Sequence, residues 1–173
     1  MYNLTTVTPE TAKDEAKEVF DWFADKPFDI PRSFEIAALS PKLAKKSLEV
    51  ATYFGAHETL SFPLLTSIRY AVSCAVCLDS CVALNGDILK KCGMTEDDLE
   101  AVANKQEETP LEAHEEVLLK FVVQRVTNPE AGCTEAEIDA VRSHGWTDQD
   151  IYEATYHGFF VLTPAMIERS LSS

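Results

Sequence analysis

Apolar residues recur every three or four positions along most of the chain, the spacing of helices that bury one face. Near the C-terminal end, Ile151, Thr155, Phe159 and Leu162 follow this spacing. No segment of useful length alternates with a period of two, as a half-buried strand would. The pattern therefore predicts an all-α protein.

Start signals for helices are frequent. Hydroxyl residues that can cap a helix stand directly before a proline at Thr8, Ser40 and Thr109, and proline is favoured at the first helical position. Thr134 and Glu137 have the spacing of a capping box, in which each side chain bonds the backbone of the other residue. We expect a helix to begin at each of these places.

Stop signals complete the prediction. Gly55, Gly93 and Gly145 stand where helical spacing ends, and glycine is favoured just after a helix. The stretch 26–40 contains two prolines and is expected to cross between helices. The chain is predicted to form about seven or eight helices, near 9–25, 41–55, 61–73, 74–91, 95–105, 110–127, 134–144 and 147–170.

The amino-acid composition indicates a globular protein. The 173 residues are 46% apolar and 25% charged, which predicts one globular, all-helical domain over residues 1–173. No apolar run is long enough to span a bilayer. The N-terminal residues lack the basic region and apolar stretch of a secretory signal. We therefore expect a cytoplasmic protein.

The net charge of the chain restricts the classes of binding partner that we expect. The formal net charge is −14, and a surface this acidic repels phosphate backbones and anionic lipid headgroups. Nucleic acids and membrane surfaces are therefore not expected to be partners. The charge does not restrict small-molecule chemistry.

Three of the five cysteines, Cys74, Cys77 and Cys81, stand within eight positions of one another. An odd cysteine count without a signal peptide is not typical of a secreted disulfide scaffold. In a reducing compartment, clustered thiols indicate redox chemistry, catalysis or metal binding. Cys92 and Cys133 are isolated, and we interpret both as structural.

Helical geometry predicts that Cys74, Cys77 and Cys81 share one face with Tyr70, because offsets of three and seven residues lie within about 60°. Inside a regular helix, Cβ atoms three residues apart are about 5–6 Å apart, whereas a disulfide requires about 3.5–4.5 Å. A Cys-x-x-Cys disulfide therefore fits best at a helix N-terminus, which also stabilises a thiolate. Ser73 is a suitable cap, so we expect a helix to begin at Cys74.

Two other interpretations of the three thiols stay open. Cysteine is among the most buried residue types, so the thiols could simply fill a helix face that packs on the core. A structural zinc site requires four ligands, and Cys92 or His57 would have to complete the set. No second pair of ligands at zinc-binding spacing is visible, so no metal is expected.

The motif and its surroundings resemble the alkylhydroperoxidase D-like and carboxymuconolactone decarboxylase-like proteins. The register Cys74-Ala-Val-Cys77-Leu-Asp-Ser-Cys81 is similar to the Cys-x-x-Cys-x-x-x-His of the peroxidase branch, and the likeness extends over roughly residues 9–170. It implies a compact multi-helix alkylhydroperoxidase D-like fold, with a core at about 40–128 and C-terminal helices at 134–170.

The resemblance also implies an activity, hydroperoxide reduction by an antioxidant enzyme. In such enzymes the second cysteine, here Cys77, attacks the peroxide, and the first, here Cys74, closes a disulfide that an external dithiol reduces. This cycle needs no cofactor. The family usually assembles as trimers or hexamers, so the resemblance implies a homo-oligomer.

Two family positions differ in this chain. Cys81 stands where the proton-relay histidine is expected. The relay glutamate is expected ten to twelve residues before the first cysteine, where this chain has Phe62, Pro63 and Leu64. None of these three side chains can move a proton.

These differences leave two hypotheses for Cys81, which is either a third catalytic redox thiol or the mark of a branch that lost efficient peroxidase activity. In the second case the chain would be a catalytically silent helical oligomer that acts as a ligand-binding or interaction module. His57 and His157 could approach the thiols through tertiary folding, although a purely structural role is the simpler interpretation of each.

Overall fold

A computed structural model describes residues 4–26, 28–104 and 109–171, and every regular element in them is helical. The all-α prediction is therefore confirmed. The elements are α1 (Asp14–Asp21), α2 (Ser33–Ala37), α3 (Pro41–Gly55), α4 (Phe62–Ala75), α5 (Asp79–Lys91), α6 (Glu96–Asn104), α7 (Ala113–Thr127), a 3-10 turn (Pro129–Ala131), α8 (Glu135–Arg142) and α9 (Asp148–Leu171).

The chain forms two compact units, one comprising residues up to 56 together with those from 163 onward, the other residues 57–162. In the first unit, α1 and α3 pack around a small apolar core. Its central ring is Phe23, whose edge-to-face partners include Trp22 and Phe34. The buried members of this core are Val19, Phe23, Ala44 and Leu48. The single domain over residues 1–173 stays a prediction.

The unit of residues 57–162 is built around α4, which packs against α5, α6 and α7. This helix is apolar on almost every side, a pattern that requires burial all round. Its side chains and those of its neighbours form the main core. The members that are at most 1% exposed in these four helices are Leu64, Leu65, Ile68, Ala71, Val72, Leu89, Val102, Leu118, Leu119, Val122 and Val123.

Several predicted boundaries are confirmed. Pro41 is the first residue of α3, and Thr134 and Glu137 form the expected capping box of α8. Gly93 follows α5 with φ +99°, the left-handed conformation that favours glycine. Residue 105, where the helix predicted from 95 ends, lies outside the described residues. No helix in the described part of the chain is long and apolar enough to cross a membrane.

Other boundary predictions are wrong, for local reasons. The helix expected from Pro9 begins only at Asp14, because Thr8 and Thr11 bond one another in a separate turn. The stretch 26–40 contains α2, which the prolines had argued against. Thr109 does not cap α7, since its N–H and hydroxyl both donate to Glu116 (2.7 Å each).

Asp150 fixes the start of α9 to the segment before α4, and it is only 7% exposed. One carboxylate oxygen accepts from the backbone N–H (3.0 Å) and the hydroxyl of Thr147. The other oxygen accepts from the hydroxyl of Thr59. A buried carboxylate that accepts three hydrogen bonds is satisfied, so its replacement leaves these donors without a full complement of acceptors.

We expect Asp150→Asn to lower the free energy of unfolding by about 1–3 kcal/mol at pH 7. Burial alone would raise the pKa of Asp150, but the hydrogen bonds from Thr147 and Thr59 lower it below the ordinary value. A lowered pKa stabilises the fold above the unfolded pKa of about 3.9 and ceases to do so as pH falls through the folded pKa. Urea unfolding should therefore show a smaller difference from wild type at pH 3 than at pH 7.

The matched control is Asp139→Asn, because Asp139 is exposed and its carboxylate bonds an exposed arginine, Arg142. This substitution should change stability by less than about 1 kcal/mol. An Asp150→Asn difference that is the same at both pH values would contradict the assignment.

Candidate functional site

The three clustered cysteines are distributed over two helices and the turn between them. Cys74 lies in the last turn of α4, Cys77 in the turn, and Cys81 in the first turn of α5. The prediction that all three share a face of one helix beginning at Cys74 is therefore wrong.

Ser73 does not cap a helix, because α4 continues past it. Its side chain is fully buried, and its hydroxyl donates to the backbone carbonyl of Arg69, four residues earlier (2.7 Å). A serine within a helix commonly satisfies its hydroxyl in this way. The helix before the break therefore ends at Ala75, two residues later than the sequence predicts, and α5 begins at Asp79, five residues later than predicted.

The break has the hydrogen bonds of a Schellman motif, a common way to end a helix. The N–H of Leu78 donates to the carbonyl of Ser73 (2.9 Å), and the N–H of Cys77 donates to the carbonyl of Cys74 (3.3 Å). The motif requires one residue in the left-handed conformation, and here that residue is Cys77, with φ +54°. Glycine is usual at this position because a Cβ atom is strained there. Cys77 therefore occupies a position that favours glycine.

The two thiols of the Cys-x-x-Cys pair have different surroundings. Cys77 is exposed, whereas Cys74 is half-buried. Burial raises the pKa of Cys74, while a hydrogen bond between its sulfur and the Tyr70 hydroxyl acts in the opposite direction and the nearby Cys77 raises the pKa further. Cys77 also lies just before the N-terminus of α5, whose dipole favours a nearby anion.

Of the other three cysteines, Cys81 lies near the Cys-x-x-Cys pair in the sequence, and Cys92 and Cys133 lie on the surface. Cys81 is half-buried, and its backbone carbonyl accepts from the side-chain amide of Asn85 (2.8 Å). Cys92 caps the C-terminus of α5 and Cys133 precedes α8, and both are exposed. The interpretation of Cys92 and Cys133 as structural residues therefore gains no support from burial.

The positions of the expected relay glutamate lie at the far end of α4. Phe62 begins this helix, and twelve residues of helix separate it from Cys74 by about 18 Å along the axis. Leu64 is fully buried in the core. The segment of Phe62, Pro63 and Leu64 starts the central helix and supplies no proton carrier.

His57 is tied to the same end of α4. Its Nδ1 accepts the backbone N–H groups of Thr59 (3.2 Å) and Leu60 (3.0 Å), so the proton is on Nε2, which lies 2.8 Å from a carboxylate oxygen of Glu153. These bonds fix the chain just before α4. They agree with the structural interpretation of His57.

His157 is buried in α9 and lies against Arg69, with 3.1 Å between its Nε2 and the arginine Nη1. Burial lowers the pKa of His157 well below its ordinary value, and the neighbouring positive charge of Arg69 lowers it further. The imidazole is therefore neutral at physiological pH, and its Nε2 accepts the hydrogen bond from Arg69.

Sequence reasoning missed Arg69 as the centre of a polar network. Its guanidinium bonds Asn85 of α5, His157 of α9 and Thr66 of its own helix. The signal was present, because Arg69 is the only charged residue in α4. A lone charge in a buried helix must find polar partners.

A metal site has no support in the part of the chain that the structure describes. No three histidine, cysteine or acidic side chains are grouped there so that they could hold an ion. The three cysteines span a helix end, a turn and the next helix start rather than one face.

The fold of this all-helical chain is that of alkylhydroperoxidase AhpD-core proteins. No protein-family model and no curated protein matches the sequence. Solved structures do match, at low sequence identity, so the likeness is one of fold.

Three solved structures illustrate this likeness. A peroxidase-related protein with an alkylhydroperoxidase AhpD core from Ralstonia eutropha JMP134 is 20% identical, with a TM-score of 0.79 over 97% of this chain and 89% of that one. A peroxidase-related protein from Silicibacter sp. TM1040 is 20% identical, with a TM-score of 0.76 over 99% and 93%. A protein of unknown function from Agrobacterium tumefaciens, described as a candidate AhpD antioxidant defence protein, is 21% identical, with a TM-score of 0.66 over 80% and 95%. The expected alkylhydroperoxidase D-like fold is confirmed.

Proposed function

We propose that this chain is a thiol-based antioxidant enzyme, an alkylhydroperoxidase-like oxidoreductase that reduces hydroperoxides through a dithiol/disulfide cycle of Cys74 and Cys77. The observation that carries the proposal is the backbone of Cys77. A side chain held in a strained left-handed position points to a functional reason for its retention. The exposed sulfur and the adjacent helix N-terminus suit a nucleophile.

The proposed cycle balances with two thiols, a peroxide and an external dithiol. The Cys77 thiolate attacks the terminal oxygen of the hydroperoxide, the O–O bond breaks, and the alkoxide leaves and takes up a proton. Cys77 is then a sulfenic acid. The Cys74 thiol attacks its sulfur, the S–S bond forms, and hydroxide leaves with the Cys74 proton as water. The dithiol returns two electrons and two protons.

The surroundings of Cys74 suit the resolving role. Its raised pKa keeps it a thiol at rest, so the first attack on peroxide is left to Cys77. The hydrogen bond between Tyr70 and Cys74 holds the sulfur at the end of α4 until the sulfenic acid forms next to it. Rapid closure of the disulfide protects Cys77 from further oxidation.

The same proposal includes a homo-oligomer in the cytoplasm, where external dithiols are abundant. Within the unit of residues 57–162, Tyr152, Tyr156 and Phe159 lie exposed on α9. Exposed aromatic side chains on one helix face favour contact with a second copy of the chain.

The second candidate is a catalytically silent helical oligomer that acts as a binding or interaction module. Two observations favour it. The expected relay positions hold Cys81 and the segment of Phe62, Pro63 and Leu64. The Nε2 atoms of His57 and His157 are bonded to Glu153 and Arg69. No relay of the expected kind is assembled from these residues.

One experiment separates the two candidates. The reduced protein is treated with one equivalent of hydrogen peroxide, and alkylated peptides are mapped by mass spectrometry over time. We expect a Cys74–Cys77 disulfide to form faster than any oxidation of Cys92 or Cys133, which are exposed and serve as internal controls. In Cys74→Ser, Cys77 should instead be trapped by dimedone as a sulfenic acid.

Steady consumption of peroxide with dithiothreitol as reductant completes the test. Activity should be lost in Cys77→Ser and retained in Cys92→Ser. Oxidation of all exposed cysteines at one common rate, with no turnover, would reject the enzyme and leave the binding module.

A further inference from the structure

Arg69 is held among neutral side chains inside the unit of residues 57–162. Its Nε donates to the amide oxygen of Asn85 (2.8 Å), its Nη2 donates to the hydroxyl of Thr66 (2.9 Å), and its Nη1 lies 3.1 Å from His157 Nε2. Thr66, Asn85 and His157 are each at most 3% exposed. The guanidinium is therefore fixed in one orientation by buried groups from three helices.

No carboxylate pairs with this guanidinium in the part of the chain that the structure describes. Burial lowers the pKa of Arg69 to about 10, so it still carries its charge at neutral pH. His157 is neutral because its pKa is low. Among the described residues the positive charge is thus left uncompensated, although the chain has 29 acidic residues and only 15 basic ones.

Another buried arginine of the same unit has its charge balanced by a carboxylate, as is usual for a buried arginine. Arg125 is 9% exposed and pairs with Glu137 (3.3 Å). Leaving a desolvated charge without a counterion is costly. A rigid, charged and unpaired guanidinium is an arrangement that an incoming anion would complete.

Arg69 is half-buried rather than fully enclosed, and its guanidinium lies next to an aromatic ring. The guanidinium carbon lies 6.0 Å from the ring centroid of Phe62, and Phe62 is 42% exposed. Arginine has five N–H donors, of which three are used here, so two remain for a ligand. An exposed ring beside these donors offers apolar contact to a ligand that carries an acid group.

We propose that Arg69 and Phe62 form a binding site for the carboxylate of a small organic acid, whose apolar body rests on the Phe62 ring. The carboxylate accepts charge-assisted hydrogen bonds from Arg69, and the bonds to Asn85, Thr66 and His157 hold the guanidinium ready for it. This site is independent of the cysteine chemistry, so it stands or falls separately from the peroxidase proposal.

Binding is tested by nuclear magnetic resonance of the histidine side chains in the full chain. The probes are benzoate and benzamide, which match in size and differ in charge. We expect benzoate to shift the His157 imidazole resonances saturably, because His157 bonds Arg69 directly. Benzamide at the same concentrations should leave the His157 resonances unchanged. The resonances of the exposed His144 ring are the internal control, and neither probe should shift them.

Two variants identify the residues. Arg69→Gln should abolish the benzoate response at His157, and Phe62→Ala should weaken benzoate at least about fivefold while leaving acetate binding unchanged. If Arg69→Gln does not fold, the result with Phe62→Ala is decisive, because Phe62 is 42% exposed and lies outside the buried core. The proposal is overturned by an equal response to benzamide, by no saturable shift up to tens of millimolar benzoate, or by unaltered benzoate binding in Phe62→Ala.

Discussion

Replacing Cys77 by glycine is expected to abolish peroxide reduction and, at the same time, to raise the free energy of unfolding by about 1 kcal/mol. The loss of activity follows from removal of the nucleophilic sulfur. The gain in stability follows from the Schellman turn, whose left-handed residue has φ +54° at Cys77. Glycine adopts this conformation without a strained Cβ atom.

The matched variant is Cys77→Ala, which removes the sulfur and keeps the Cβ atom. It should be as inactive as Cys77→Gly but no more stable than wild type, as measured by urea unfolding with a reducing agent present. Equal stability of the glycine and alanine variants would show that the turn is not strained. Peroxide turnover in either variant would show that Cys77 is not the nucleophile.

Replacing Cys81 by histidine is expected to raise the rate of peroxide reduction about 10²-fold, the lower end of what a positioned proton carrier contributes. Cys81 is in the first turn of α5, four residues after Cys77, and is half-buried. An imidazole there can take the proton of the Cys77 thiol and pass it to the leaving alkoxide. The rate is followed as peroxide consumption under saturating dithiothreitol.

Cys81→Ser is the control, since it removes the third thiol without supplying a base. A gain with histidine and no change with serine would mean that the relay was lost from this position. A loss of activity with both variants would mean that Cys81 is itself part of the redox cycle, and would contradict the expected gain.

The helices were predictable from the sequence where their signals are local. Pro41 at the start of α3 and the Thr134–Glu137 box of α8 depend only on neighbouring residues, and both predictions are confirmed. The end of α4 was not predictable in this way. Serine is a residue type that often caps helices, but the Ser73 hydroxyl is satisfied within the helix. The left-handed conformation falls on Cys77, a residue type that rarely adopts it.

The sequence selected Cys74 and Cys77 as the candidate pair, a role that stays a prediction, but it did not predict the geometry around them. The spacing of Cys74 and Cys77 identified the pair, whereas the difference in their exposure depends on where α4 ends. The network of Arg69, Asn85 and His157 joins residues up to 88 positions apart, so no local pattern in the sequence could reveal it. One indication of this network was present in the sequence, because the single charged residue of the apolar helix α4, Arg69, requires polar partners.

The left-handed position of Cys77 also bears on the history of the chain. Cysteine and glycine codons differ by a single nucleotide, so the substitution that relieves the strained turn is readily accessible to mutation. Selection removes variants that lose function and tolerates those that keep or improve stability. A lineage that no longer used this thiol would drift towards glycine here. Glycine at position 77 in other proteins of this fold would therefore mark chains that no longer use this thiol.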